Sequence, residues 1–339
     1  MGLFRAEFGI DLGTVNILIY ERGKGIVVQE PSLVTLLPNA ERVILLDYGE
    51  VARQSYGRTP DTLEVARPVR DGVIADYEVT QKMLHYFVNQ VKGPWRFLPP
   101  RIVIGVPYGV TSVERRAVRE AAKEAGAGDV YLMREPLAAA LGAGLPVDTA
   151  TGNLVLDIGG GTAEAAVISM NGIVAASSVR VGGIKLDEAV MAFIRRKYNL
   201  AIGEPTAEDI KVRIGSAMPL DHELSMQVQG RDQVTGLPRM IEVSSGEITE
   251  ALQEPLLNIA ACVRNVLERT PPELASDIID RGMAMTGGTS LLRNLGEFMS
   301  REVGVPAYLA DAPMACVALG CGRAFDRLDD FMRTEFAQG

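Results

Sequence analysis

The sequence predicts an α/β protein made of two duplicated halves that face one another across a cleft. Three observations carry this expectation. A strand, an aspartate, a glycine turn and a returning strand occur at Asp11 and again at Asp157, 146 positions apart. The 339 residues are too many for one ordinary core and suit two related domains. A third glycine turn, Met285-Thr286-Gly287-Gly288-Thr289-Ser290, lies in the second half.

In chain order, Phe8 to Leu12 reads as a buried strand, Gly13-Thr14 as a turn and Ile17 to Tyr20 as the return. Val43-Ile44-Leu45-Leu46 is an apolar run of core-strand length. Residues 31–68 are mixed and punctuated by prolines, which suggests a small inserted subdomain. Met83, Leu84, Phe87, Val88 and Val91 recur at helical spacing, and Gly93-Pro94 ends that helix. Arg101 to Val106 is a strand, and Thr111 with Glu114 forms a capping box for a helix running to Gly126. The second unit starts near Gly152, with strands at Leu154 to Ile158 and Ala165 to Ile168 around Gly159-Gly160-Gly161. Helices are expected at Asp187 to Tyr198, Thr206 to Ile214, Ser245 to about Arg269, and Ser290 to Val303.

Composition excludes several function classes. Hydrophobic residues make up 47% and charged residues 23%, the balance of a globular chain. No apolar run approaches the roughly 20 residues of a membrane span. A net charge of −9 argues against nucleic acid as a partner, which demands a basic footprint. It leaves a nucleotide open, because Mg²⁺ and backbone N–H groups hold phosphates locally. Cys262, Cys316 and Cys321 have no metal or redox spacing and read as core residues in a reducing cytoplasm. His85 and His222, the only histidines, read as structural, so histidine triads and zinc sites are poor candidates.

Glycines after a strand let the backbone bring N–H groups against phosphate oxygens. Gly13-Thr14 and Gly159 to Thr162 both fit, and Asp11 and Asp157 are placed to orient waters around Mg²⁺. One such turn alone is more simply an ordinary hairpin; two favour a clamp. The P-loop and dinucleotide fingerprints are absent. The turn at Gly287 to Ser290, read as opening a helix, suits either an anion and a flat ring or a plain helix cap. Glu135, taken by itself, is an acid at a helix start.

In order and spacing these motifs resemble the MreB family, bacterial homologues of actin within the superfamily that includes sugar kinases and heat-shock chaperone ATPases. Gly9 to Asn16 is similar to the first phosphate motif, Arg134 to Ala140 to the connecting helix and Asp157 to Glu164 to the second phosphate motif. More specific matches are Gly57 to Pro60, Asp71 to Asp76, Arg101 to Pro107, and Tyr198 to Leu200 through Ile214 to Ala217. The resemblance implies an actin-like fold of two duplicated RNase H-like domains with a nucleotide cleft between them. Domain I is expected at 1–147 and domain II at 148–339. Each carries a small insert, at about 31–68 and 181–245, and a C-terminal helix at about 316–336 packs back on domain I.

The resemblance also implies ATP or ADP with Mg²⁺. Gly13, Thr14, Val15, Asn16, Gly159, Gly160, Gly161 and Thr162 would hold the phosphates, and Asp11 and Asp157 the metal through water. Glu208, Asp209, Ile210 and Lys211 would flank the ribose and base, and Gly287, Gly288, Thr289 and Ser290 the adenosine. Glu135 would polarise the attacking water, helped by Thr162, with hydrolysis slow and coupled to polymerisation. Ala163, Ile184 and Thr289 depart from the family pattern, which has threonine, an acid and glycine there.

Pro94 to Pro100 brackets Trp95, Phe97 and Leu98 in a proline-rich loop, whose apolar residues either fold inward or meet a lipid surface. The resemblance favours the membrane, with Leu3 and Phe4 adding a second tip. It further implies a homopolymer of paired protofilaments on the inner face of the cytoplasmic membrane, acting with cell-wall elongation proteins to set rod shape. A chaperone-type ATPase is the first alternative, though it needs a substrate-binding domain and the chain ends at Gly339. A small-molecule kinase needs a further carboxylate base, and a nucleotide-binding adaptor without turnover is the third.

Overall fold

The structure, a computed structural model, describes residues 5–38, 43–92 and 98–336. Two five-stranded sheets dominate it and share one topology. In the first, Glu7–Leu12 lies at the centre, antiparallel to Asn16–Glu21, which is followed by Gly25–Pro31; on its other side run the parallel strands Arg101–Val106 and Asp129–Arg134. In the second, Asn153–Ile158 takes the centre, with Ala163–Ser169 and Gly172–Val179 on one side and Met283–Thr286 and Ala307–Leu309 on the other. The shared order is what duplication of one unit predicts. All six residues of Asn153–Ile158 are buried, as expected where helices cover both sheet faces.

Smaller sheets sit on each lobe. Val34–Leu36, Leu45–Tyr48 and Glu64–Ala66 form one, beside the helix Gly49–Gln54. Leu200–Ala201, Ser225–Asp232 and Pro238–Ser244 form the other. The run at 43–46 is only half strand and half buried: registered pairing starts at Leu45, Val43 and Leu45 pack against the first core, and Ile44 and Leu46 are exposed.

Each lobe has its own core, and a third cluster joins them. The joint is built on small residues. Helices Glu135–Gly142 and Cys316–Arg323 cross so closely that a Cβ on Gly320 would lie 1.8 Å from the Ala138 carbonyl oxygen, and one on Gly142 1.8 Å from that of Cys316. The segment from Cys316 does pack on the first sheet, but not as one helix. A 3-10 turn spans Ala324–Arg327, Arg327 leaves helical geometry at φ −134°, and a second helix covers Leu328–Thr334. The break turns Phe331 into the shared core, while Glu335 accepts from the Arg134 backbone N–H at 2.9 Å.

The expected capping box is present, with Glu114 N–H donating to Thr111 Oγ1 at 3.2 Å and Thr111 N–H to Glu114 Oε2 at 2.7 Å. The helix expected from Ser290 is not. Gly288–Leu291 is a single 3-10 turn, Leu292 is extended, and the α-helix spans Leu295–Val303 after Asn294 at φ 58°. The third glycine turn therefore offers no α-helix N-terminus.

Candidate functional site

The two lobes enclose a cavity of about 340 Å³ between the facing aspartate turns. It has the size of a small-molecule site. Asp11 and Asp157 end the two central strands at its floor, and Gly13 to Asn16 and Gly159 to Thr162 form its facing walls. The turns fit tightly across the lobes. A Cβ on Gly160 would meet Val15 Cγ2 at 2.1 Å, and one on Gly161 would meet Thr14 Oγ1 at 2.7 Å. Thr14 Oγ1 in turn accepts from the Gly72 backbone N–H at 2.9 Å.

Asp11, Asp157 and Glu135 line the cavity, and Glu164, buried close by, does not. Burial raises Asp11 to about 8, with the Asp157 charge adding to the shift. Burial raises Asp157 to about 6, although Thr286 Oγ1 donates to its Oδ1 at 2.6 Å and opposes the shift. Glu135 stands well above the usual range, first through burial and then through Glu164, Asp11 and Asp157. Glu164 is also raised by burial to about 8, despite accepting from Ser178 Oγ at 2.7 Å and the Tyr108 backbone N–H at 3.0 Å. That last bond crosses from the second lobe to the first.

The cations lining the cavity, Lys211 and Arg293, are engaged elsewhere. Lys211 pairs with Asp187 at 2.8 Å, and Arg293 donates to the Val212 carbonyl at 2.8 Å. Burial and mutual repulsion make charging the carboxyls of the floor costly, and a divalent cation bound beside them would relieve that cost. Among the described residues no three metal-ligating side chains converge, so such an ion would keep several of its waters, as Mg²⁺ prefers.

The base-side wall comes from the helix Glu204–Ile214 and the turn at Gly287. Glu208 and Lys211 line the cavity; Asp209 and Ile210 do not. With about 100° between successive residues, positions 208, 211 and 212 share one face. Asp209 points outward to Arg213 at 2.7 Å, and Ile210 is fully buried in the second core. Gly287, Gly288 and Thr289 line the cavity, whereas Ser290 turns back to donate to the Gly287 carbonyl at 2.6 Å. Gly287 holds φ 82°, and a Cβ there would lie 2.3 Å from the Ile158 carbonyl oxygen, so glycine is required.

Sequence reasoning missed several lining residues: Gly72, Gly183, Asp187, Leu292, Arg293 and Met314. The Gly182-Gly183 pair was a usable signal, since a Cβ on Gly182 would meet the Gly159 carbonyl oxygen at 2.6 Å. Met314 and Leu292 carried no local signal. Of the membrane candidates, Leu98 is exposed; Trp95, Phe97, Leu3 and Phe4 lie outside the described residues. His85 is on the exposed face of its helix, bonded to Asn89 at 2.8 Å, and His222 is exposed. The three cysteines are free and buried.

Duplicated lobes with paired Asp-Gly turns around one cleft define an actin-like nucleotide-cleft fold. The chain matches the MreB/Mbl protein family over residues 5–333 and belongs to it. It is 51% identical over 331 residues to the cell shape-determining protein MreB of Escherichia coli K12, covering 97% of this chain and 95% of that one. MreB5 of Spiroplasma citri, solved bound to ADP and to AMPPNP, superimposes with TM-score 0.91 at 37% identity, over 97% of this chain and 98% of the other. The MamK double helical filament shares the fold at TM-score 0.80 and 18% identity, over 95% and 99% of the two chains.

Proposed function

We propose that this chain is an ATP-binding, slowly ATP-hydrolysing cytoskeletal protein that polymerises into membrane-associated filaments and organises cell-wall synthesis and rod shape. The observation that carries the reading is the pair of aspartate-glycine turns interlocked across one cleft above an acidic floor. Family membership and the ADP- and AMPPNP-bound relative support it.

In this reading Gly13 to Asn16 and Gly159 to Thr162 present backbone N–H groups and hydroxyls to the phosphates. Asp11 and Asp157 would hold Mg²⁺, which when bound would neutralise phosphate charge. Lys211 and Glu208 flank the ribose and base, with Gly287 and Gly288 against the adenosine. Glu135 sits at the first turn of a fully buried helix, held by Pro136 behind it. Lining the cleft there, Glu135 is placed to polarise an attacking water, with Thr162 on the facing turn. Replacement of Glu135 by Gln should lower hydrolysis about 100-fold and leave nucleotide affinity nearly unchanged.

Self-association would be head to tail without closure, the geometry that yields filaments. Among the described residues no helix is long and apolar enough to cross a membrane. Contact with the membrane would be peripheral, through Leu98 and the neighbouring Trp95 and Phe97, with Leu3 and Phe4 beside them. Wall-elongation proteins are the proposed partners. Pelleting and electron microscopy with ATP, with ADP and with or without lipid test the whole reading. ATP-dependent polymers on lipid are expected; absence of polymers in every condition, with phosphorylation of a metabolite, would replace it with a kinase.

A further inference from the structure

The peptide planes of the second phosphate turn are held from behind. The Gly159 carbonyl accepts two hydrogen bonds, from the Gly183 N–H at 3.0 Å and from Thr289 Oγ1 at 2.8 Å. The next carbonyl, Gly160, accepts from the Ile184 N–H at 2.9 Å. Lys211 braces the same corner, donating to the Gly183 carbonyl at 3.1 Å while paired with Asp187. The fit around the hydroxyl is close: a Cβ on Gly183 would lie 2.9 Å from Thr289 Oγ1.

In a planar trans peptide the N–H points opposite to the C=O, and no cis peptide occurs in the described chain. Carbonyls drawn toward Thr289 and the start of the helix Gly183–Tyr198 therefore turn the Gly160 and Gly161 N–H groups the other way, toward the first lobe's turn and the cleft. Among the described residues neither of these N–H groups has an acceptor. The first lobe uses the same device with a different residue. The Gly13 carbonyl, at the matching place after Asp11, accepts from the fully buried Ser32 Oγ at 2.7 Å.

We propose that Thr289 is a positioning residue for phosphate binding: by holding the Gly159 carbonyl, its hydroxyl aims the Gly160 N–H at an anionic oxygen in the cleft. The inference rests on the nucleotide reading above. It assigns Thr289, which lines the base side of the cavity, a part in gripping phosphate rather than in contacting the base.

The test is titration of the purified full chain with ADP, ATP and adenosine, with stopped-flow release of a fluorescent ADP analogue. Thr289→Val keeps the shape and removes the hydroxyl; Thr289→Ser keeps the hydroxyl. Thr289→Val should weaken ADP and ATP roughly fivefold, the worth of one hydrogen bond, and speed release by a similar factor. Thr289→Ser should restore both, and adenosine affinity should move less than about twofold in either variant. Equal ADP affinity in wild type and Thr289→Val overturns the inference alone. So does an equal loss of adenosine affinity, or a Thr289→Ser variant no better than Thr289→Val. A wild-type chain that binds adenosine but neither ADP nor ATP overturns the nucleotide reading and this inference together.

Discussion

The two glycine turns have the same strand-Asp-turn-strand plan and divide the work unequally. The turn after Asp11 fills space: Val15 and Thr14 project across the cleft toward the other lobe. The turn after Asp157 empties space: Gly160 and Gly161 have no side chains where those two arrive. One half supplies knobs and the other holes, so closing the lobes interdigitates the turns and leaves the second free to offer bare N–H groups. Duplication of a unit thus gave two copies of a motif whose shapes are complementary rather than alike.

The sharpest break of that complementarity is Gly160→Ala. Its new Cβ would fall 2.1 Å from Val15 Cγ2 and 2.8 Å from Val15 Cβ, so a change of the Val15 rotamer alone does not relieve the contact. Overpacking of this kind costs about 1–3 kcal/mol, which predicts nucleotide affinity down by on the order of 50-fold. Gly159→Ala is the control, because its Cβ would meet nothing closer than the Thr162 carbonyl oxygen at 3.6 Å. Fluorescent-nucleotide titration of the pair, with thermal melts to check folding, decides the matter. Partial recovery in Gly160→Ala combined with Val15→Ala is expected; equal affinities for the two alanine variants would remove the knob-and-hole account.

The aspartates allow a second comparison, smaller and dependent on pH. Both folded-state pKa values lie above the ordinary carboxylate value near 4, at about 8 for Asp11 and about 6 for Asp157. The folded protein then favours the protonated forms. Their stabilising contribution is complete below about pH 4 and is lost as pH rises, up to about pH 8 for Asp11 and about pH 6 for Asp157. In EDTA, Asp11→Asn should therefore raise the melting temperature at pH 8, by the equivalent of on the order of 2 kcal/mol. Asp157→Asn should gain less, with its effect complete by about pH 6, and its amide oxygen still accepts from Thr286 Oγ1, more weakly than the carboxylate does. Mg²⁺ should stabilise wild type and do so much less in Asp11→Asn. Identical pH profiles for both variants and wild type would show that the floor carries no such charge strain.

Much of this arrangement was legible because its signals are local. Glycine after an aspartate-ended strand, the Thr111 and Glu114 box and the alanine run after Pro136 each declare a backbone geometry over a few residues. Ile210 and Asp209 were misread because a four-residue block was carried over whole, whereas a helix turns such a block through all of its faces. The helix expected from Ser290 failed for a different reason: Asn294 in the left-handed region restarts it at Leu295, and no hydrophobic pattern announces that. Met314 and Arg293 reach the cavity only through the closure of the second sheet, so their place is a tertiary fact. In the apolar run at 43–46 only Val43 and Leu45 pack on the core while Ile44 and Leu46 are exposed, because hydrophobicity reports composition and not which face is covered.

The smallest expected effect separates the two hydroxyl anchors. Ser32 holds the Gly13 carbonyl as Thr289 holds that of Gly159, and each turn keeps a backbone tie besides, the Gly183 N–H to the Gly159 carbonyl at 3.0 Å and, on the first turn, the Ser32 N–H to the Val15 carbonyl at 2.8 Å. Ser32→Ala leaves that tie in place. It also removes a donor from a fully buried site, so its cost, about 1 kcal/mol for an unmet buried partner, should fall mainly on stability. Nucleotide affinity should drop about twofold, against the roughly fivefold of Thr289→Val. The anchors lie on separate lobes, so the double variant should show the product of the two losses, about tenfold. A product well short of that would mean that the turns move as one body, and that the knobs of the first lobe are set by the bonds of the second.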